Sequence, residues 1–543
     1  MSETEFPYTF TLLAPAQDEV FIQIDALDWK KQAMEKNERG EFFWNTALAD
    51  GVYRYRFHLP SNAWFYDEGT WVDIIDPLAT EVDLEENAAI LRLEQGMPIH
   101  SAYAWEHDDV RQLSPEAWVL YELHVGVFSA DMAAENEATG SFAGCTQKIS
   151  YLEDLGITGV QLLPVQGFPG EISLGYNPAY FLAPASSYGR PEDLMAFVDA
   201  LHGRHMVCLG DFVFNHASDQ SPLAQIDHDY WFHHEAKDPE HSWGPEFNYD
   251  AYDETYDRYP AWEHAQHVIH HWLYHYHFDG LRYDAVKQLD HRAFLEWSTR
   301  EAMTQAGPKI FFNIAECIPD EPSLVAGDGP MNACWHDGFC QDIRRLLSGE
   351  TLEAEKVLNA LDGTRKGYET PLQIVNYLSN HDQPRLHSHF KSLGLDDNEA
   401  LRRHHLGIAL LFFAVGIPMV RMGEEMAWDV TGDESPQQLP WERLSDPAIQ
   451  NLWVQYQTWI QWRRQMTALQ QGEMLCLCTH PLWVLIREDE TSQFMLAFNP
   501  TDAEVSHELT LDHGEVLSWT LEAWSYDVRI TEKAAQRETA KSA

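Results

Sequence analysis

The stretch Arg190-Pro-Glu-Asp-Leu-Met-Ala-Phe-Val-Asp-Ala-Leu201, followed after four residues by Met206-Val-Cys-Leu-Gly-Asp-Phe-Val-Phe214, changes its apolar period in one step. Leu194, Phe197, Val198 and Leu201 recur at helical spacing, and a proline with two acids suits the first turn of a helix. The second half is a near-continuous apolar run, as expected of a strand buried on both faces of a parallel sheet. The same alternation extends in both directions. Strands are predicted at Val119–Val125, Gly159–Pro164, Met206–Phe214, Gly280–Asp284, Ile310–Glu316, Asn332–Trp335, Ile374–Leu378 and Pro418–Met422. Eight βα units over roughly 350 residues have the size of a TIM barrel carrying an insertion. The polar, aromatic stretch Ala217–Trp262 is that insertion, after the third strand.

Outside the barrel the texture differs. Residues 1–105 hold Tyr8-Thr-Phe-Thr-Leu-Leu13, Val20-Phe-Ile-Gln-Ile24 and Val52-Tyr-Arg-Tyr-Arg-Phe57 between turns such as Asn37–Gly40 and Asp50-Gly51, which predicts an immunoglobulin-like β-sandwich. Trp29, Trp44, Trp64 and Trp71 lie there; tryptophans in a small sandwich usually belong to its core, with stacking on sugar rings the alternative. The barrel is assigned to residues 106–470. After a helix near Gln450–Gln465, residues 471–543 are read as a small C-terminal β-domain with a tail from Thr531. The expected class is α/β, with the two β-domains flanking the barrel.

The chain has 543 residues, 45% of them hydrophobic, enough for a sizeable core. Its 86 acidic against 36 basic side chains give a formal charge of −50. Such a surface repels phosphate backbones and anionic lipid, so neither nucleic acid nor membrane is expected as a partner, while a neutral sugar meets no penalty. The seven cysteines are odd in number and lack paired zinc spacing, which reads as scattered thiols in a reducing compartment. No secretory signal is visible, and the apolar run Leu406–Val420 is too short to span a bilayer, so a cytoplasmic location is expected.

A TIM barrel does its chemistry where the strands end. The third strand closes on Asp211-Phe-Val-Phe-Asn-His216, the fourth on Gly280-Leu-Arg-Tyr-Asp284, the fifth on Asn313-Ile-Ala-Glu316 and the seventh on Ser379-Asn-His-Asp382. Carboxylates therefore close strands four, five and seven on one rim, and Arg282 shares the face of Asp284 because side chains alternate with period two. Cleaving a glycosidic bond with retention needs a carboxylate nucleophile and a protonated carboxylic acid about 5 Å apart. The expectation is that Arg282 keeps Asp284 ionised, that burial and like charge keep a proton on Glu316, and that neutral His216 and His381 donate hydrogen bonds to sugar hydroxyls.

These four stretches resemble the signature segments of the α-amylase family, glycoside hydrolase family 13. The resemblance covers nearly the whole chain and implies a retaining hydrolase of α-glucosidic bonds in maltooligosaccharides or related α-glucans. It implies Asp284 as nucleophile, Glu316 as general acid and base, Asp382 as the group gripping the distorted sugar, and Arg282, His216 and His381 as substrate contacts. Tyr176, in Gly175-Tyr-Asn-Pro178, matches the family's aromatic platform, with a structural tyrosine after glycine the rival reading. The N-terminal stretch looks like the sandwich preceding the barrel in branching enzymes, debranching enzymes and trehalohydrolases. Leu120–Phe128, Asn332–Asp337 and Met422–Glu425 are most similar to maltooligosyltrehalose trehalohydrolases, and Phe181–Gly189 also resembles branching enzymes. Gln383 after Asp382 departs from the branching pattern, Gln288 after Lys287 departs from the amylase pattern, and Leu439-Pro-Trp441 is closer to amylases and glucosidases. An amylase-like or trehalohydrolase-like hydrolase leads; a debranching or glucan-transferring enzyme is the alternative. A non-catalytic glucan-binding scaffold is a distant third, because all three acids and Arg282 stand. Oligomeric state is not legible.

No metal or cofactor is expected. The histidines between His264 and His277 lack the intervening glutamate of zinc proteases and read as a wet helix face. The acids between Asp250 and Asp257 do not form an EF-hand loop and read as solvated.

Overall fold

In the computed structural model, residues 4–99, 103–108, 112–133, 139–429, 438–511 and 514–533 are described. The strand Glu5–Leu13 pairs antiparallel with Glu41–Ala49. A second antiparallel sheet holds Phe21–Ile24, Gly51–Pro60, Trp71–Ile74 and Ala88–Glu94. Alternation puts Phe10, Leu12 and Phe42 of the first sheet and Ile22, Ile24, Phe57 and Leu59 of the second into one dry interior, with the Phe10 and Tyr55 rings 4.8 Å apart across it. The tryptophans divide. Trp44 packs on that core beside Phe10, but Trp64 (58% exposed) and Trp71 (39%) face solvent, because they follow the strands' outward phase or lie in the loop after Pro60.

The barrel closes as expected, from β1 (Leu120–Leu123), β2 (Gly159–Leu162), β3 (Val207–Phe212), β4 (Gly280–Tyr283), β5 (Phe312–Ala315), β6 (Ala333–Trp335), β7 (Ile374–Tyr377) and β8 (Ile417–Arg421), all parallel, with β8 pairing back to β1. Every residue of these strands is buried. Their two phases have different destinations. Leu120, Val207, Leu209, Ile314, Trp335, Tyr377 and Met419 fill a separate interior cluster, while Tyr121, Cys208, Phe212, Leu281 and Tyr283 pack outward against the helices. Continuing the inward phase past the apolar layers brings Glu122, Asp211, Arg282, Asp284 and Glu316 to the same end.

Helix α1 (Pro191–His202) returns to β3, its first turn closed by the Asp193 carboxylate accepting from the Arg190 backbone N–H at 2.9 Å. The insertion contributes α2 (Pro222–Trp231), and α3 (Pro260–Tyr276) leads back to β4. The C-terminal residues form a sheet of Glu473–Cys478, Trp483–Glu488, Ser492–Asn499 and Ser525–Glu532, plus the pair Val505–Thr510 and Val516–Leu521. The last strand runs through Thr531, where a tail was expected, because its partner Ser492–Asn499 continues the ladder to Glu532. The remaining tail, 534–543, lies outside the described residues. Among the described residues no helix is long and apolar enough to cross a membrane.

Just before β4, Asp279 is fully buried and accepts from the Cys208 backbone N–H at 2.8 Å, with His202 Nε2 at 2.9 Å and Lys309 Nζ at 3.4 Å. Burial opposes its charge, but His202 and Lys309 hold the carboxyl below its ordinary range. This pin joins α1, β3 and the start of β4 at the end of the barrel away from the acids. Asp279→Ala should cost about 3–5 kcal/mol by stranding its partners, read as a lowered urea midpoint with an unchanged slope.

Candidate active site

The site is built around one guanidinium. Arg282 is fully buried in the inward phase of β4, its Nη1 donating to Asp211 Oδ1 and Oδ2 at 2.8 and 2.9 Å and to Asp284 Oδ1 at 2.8 Å. Its Nη2 stands 3.2 Å from Glu316 Oε2. The flat cation lies over the Trp335 ring at 4.3 Å, a side chain from β6 that closes the floor. Asp284 and Glu316 are thus brought together from adjacent strands. The turn after β4 helps hold them: Ala285 takes the left-handed region (φ 46°) at a steric cost, and its N–H donates to Glu316 Oε2 at 2.6 Å.

One cation serves a crowd of carboxylates, and that decides their protonation. Burial pushes the Asp284 carboxyl up to about 8; Arg282 opposes this, and the charges of Glu316 and Asp211 reinforce it. The expectation that Arg282 keeps Asp284 ionised is corrected, because burial outweighs a guanidinium divided among several acids. Asp211 is raised for the same first reason, burial, against Arg282 and His381.

Tyr176 follows Gly175, whose φ of +97° and close approach to the Pro164 carbonyl exclude a side chain. Its ring stacks on His381 at 4.5 Å, and its hydroxyl donates to Asp211 Oδ2 at 2.5 Å, so the tyrosine is locked from two sides. The two histidines differ. Burial lowers His216 to about 4, so its ring is neutral; Nε2 meets the Tyr176 carbonyl oxygen at 2.8 Å and Nδ1 meets the Asn215 amide. Both nitrogens are engaged within the protein, which makes His216 a support for the Tyr176 loop in this state. Burial also works against a charge on His381, but Glu122 overrides it and raises the ring to about 9. Nδ1 is 3.0 Å from Glu122 Oε1 and Nε2 is 3.3 Å from Asp382 Oδ1, so His381 is a cation between two carboxylates, not the neutral donor expected. Asp382 itself sits on the rim with its side chain half exposed.

Three residues of this site received no role in the sequence reading: Glu122, Asp211 and Trp335. Glu122 had a signal, an acid inside the apolar run Val119–Leu123 of a strand buried on both faces. Gln383, the departure after Asp382, is held by the Cys340 thiol, which donates to its Oε1 at 2.9 Å. A cavity of about 1220 Å³ lined by Trp105, His202, Asp279 and Lys309 opens at the opposite end of the barrel and includes none of the strand-end acids. Among the described residues no cluster of histidine, cysteine or acid could hold a metal ion.

Residues 128–317 match the family described as alpha amylase, catalytic domain. A malto-oligosyltrehalose trehalohydrolase of Saccharolobus solfataricus is 26% identical over 467 residues, 79% of this chain and 74% of that one. A 1,4-alpha-glucan branching enzyme of Nitrosomonas europaea is 32% identical over 237 residues, 42% of this chain and 30% of its own length. Among solved structures, the type I pullulanase of Bacillus subtilis complexed with maltose superimposes with a TM-score of 0.80 at 19% identity over 98% of this chain and 85% of that one, a likeness of fold.

Two outcomes follow from the charges. In Glu122→Gln the His381 ring should titrate lower, since its largest charge partner is gone while burial and Arg282 still oppose the charge; nitrogen-15 histidine spectra across pH read this directly. Asp284 has a folded pKa above its unfolded value, so the folded state binds the extra proton and loses stability as pH rises between the two. Asp284→Asn, which mimics the neutral acid, should therefore melt several degrees above the wild type at pH 8, with the gap closing by pH 4.

Proposed function

We propose that the chain is a glycosidase of the α-amylase family, whose catalytic-domain description matches residues 128–317, and that it hydrolyses α-glucosidic bonds in maltooligosaccharides or related α-glucans with retention, through Asp284 and Glu316. The observation that carries the reading is the sharing of Arg282: one buried guanidinium holds Asp284 at 2.8 Å and Glu316 at 3.2 Å. A nucleophile must face the anomeric carbon while an acid faces the leaving oxygen, and two carboxyls on one cation are placed for that division.

Once the proton held by the acid cluster has passed from Asp284 to Glu316, the ionised Asp284 oxygen forms a bond to the anomeric carbon as the glycosidic carbon–oxygen bond breaks. Glu316 gives its proton to the departing sugar oxygen. Water then loses a proton to Glu316 and attacks the same carbon, releasing Asp284 and restoring the starting protonation. Developing positive charge on the sugar ring is favoured by the surplus of carboxylates around it. Tyr176 supplies a flat face under the ring, and Asp382, exposed at the rim beside the cationic His381, is placed to grip hydroxyls of the distorted sugar. Glu122 acts through His381 by fixing its charge and orientation. The odd cysteine count favours a reducing compartment, and we place the enzyme in the cytoplasm.

The purified protein should convert maltoheptaose to shorter maltooligosaccharides, and Asp284→Asn should lower the rate by about 10⁴-fold or more while remaining folded. Products longer than seven units would reassign it as a transferase. A wild type silent on maltoheptaose, on branched glucans and on trehalose-capped glucans would overturn the reading.

A further inference from the structure

Where the sandwich meets α3 there is a cavity of about 180 Å³, lined by Leu12, Pro77 and Leu78 from the sandwich and by Trp231, Arg258 and His264 from the insertion and α3. It shares no residue with the site around Arg282. Arg258 is buried, only 6% exposed, yet its Nε has no hydrogen-bond partner among the described residues. Its two acidic neighbours, Glu41 and Glu263, each stand off at 3.7 Å. His264, equally buried, leaves Nε2 without a partner, and burial with the neighbouring His267 keeps its ring neutral. Two buried nitrogens without hydrogen bonds, Arg258 Nε and His264 Nε2, are costly to a folded protein unless something supplies the missing partners.

We propose that this cavity binds a single neutral pyranose, glucose-sized and rich in hydroxyls. Charge selects the class. The two glutamates outweigh the one arginine, which disfavours a small anion, while hydroxyls can accept from the guanidinium and donate to the carboxylates at once. Size selects one ring: the space far exceeds a single water and is well below the usual ligand pocket of ~300 Å³ and upward. The apolar walls suit the carbon face of a sugar and leave the polar groups to fix its orientation. A bound sugar would touch the sandwich and the insertion together and so fasten one to the other. The choice of glucose as ligand rests on the α-glucan reading above; the existence of the site does not.

The test is calorimetric titration of the full chain with D-glucose, in the wild type, in Leu78→Trp, which fills the space from its exposed edge, and in Arg258→Met. Binding with a dissociation constant on the order of 1 mM is expected for a ligand of this size. Both variants should lose one binding event per chain, while kcat/KM on maltoheptaose stays within about twofold in Leu78→Trp. If glucose binds the wild type and Leu78→Trp identically, the inference is overturned, whatever the activity. If acetate binds the wild type in place of glucose and is lost in Arg258→Met, the site takes anions and the sugar assignment falls. Failure on maltoheptaose with glucose binding still abolished by Leu78→Trp would remove the catalytic reading and leave this one standing.

Discussion

A fully buried arginine surrounded by acids is the constraint on which the active end of this barrel depends. Arg282 has no route to solvent, so its charge must be met inside, and Asp211, Asp284 and Glu316 meet it from three adjacent strands. The same arrangement leaves the acids short of positive charge. A cluster with more carboxylates than cations retains a proton near neutral pH, which is the state an acid–nucleophile pair requires before it meets a substrate. Trp335 under the guanidinium and Ala285 in its strained turn are the structural cost of holding that imbalance still. Stability is sacrificed there for a defined geometry.

The barrel was legible because its strands carry two signals at once. Runs such as Met206–Phe214 are apolar enough to be buried on both faces, and the residues that break the run, Asp211, Arg282 and Glu316, all fall on the inward phase at the same end. Period two therefore carried both the fold and the rim of acids. What it could not carry was charge state. Whether His381 is neutral depends on Glu122, which lies 259 residues away in sequence and reaches it only when β1 and β7 flank β8 in the closed barrel. Asp284 is a similar case: the nearest residue in sequence that matters is Arg282, but burial in the closed barrel opposes it, reinforced by Glu316 and Asp211 from neighbouring strands. The tryptophans were read from residue type alone, and two depart from that reading: Trp64 lies in a loop beyond any strand's pattern and Trp71 occupies the outward phase of a short edge segment.

The acids proposed for catalysis do not share one environment, and the difference has mechanistic content. Asp284 and Glu316 are nearly closed off, whereas the side chain of Asp382 is 53% exposed. A buried pair interacts strongly with charge developing on a sugar ring, because little water is present to screen it. A rim carboxylate is screened until a sugar covers it, so its contribution grows as the substrate arrives and excludes solvent. His381 joins the two regimes: buried itself, it bonds inward to Glu122 and outward to Asp382, so the position of the rim acid is tied to the floor of the barrel through one cationic ring. Because an α-glucan is neutral, its entry leaves the net charge of the site unchanged and alters only the screening. The gain in electrostatic strength on binding therefore falls on the interactions with charge that appears as the glycosidic bond breaks, which is where catalysis requires it.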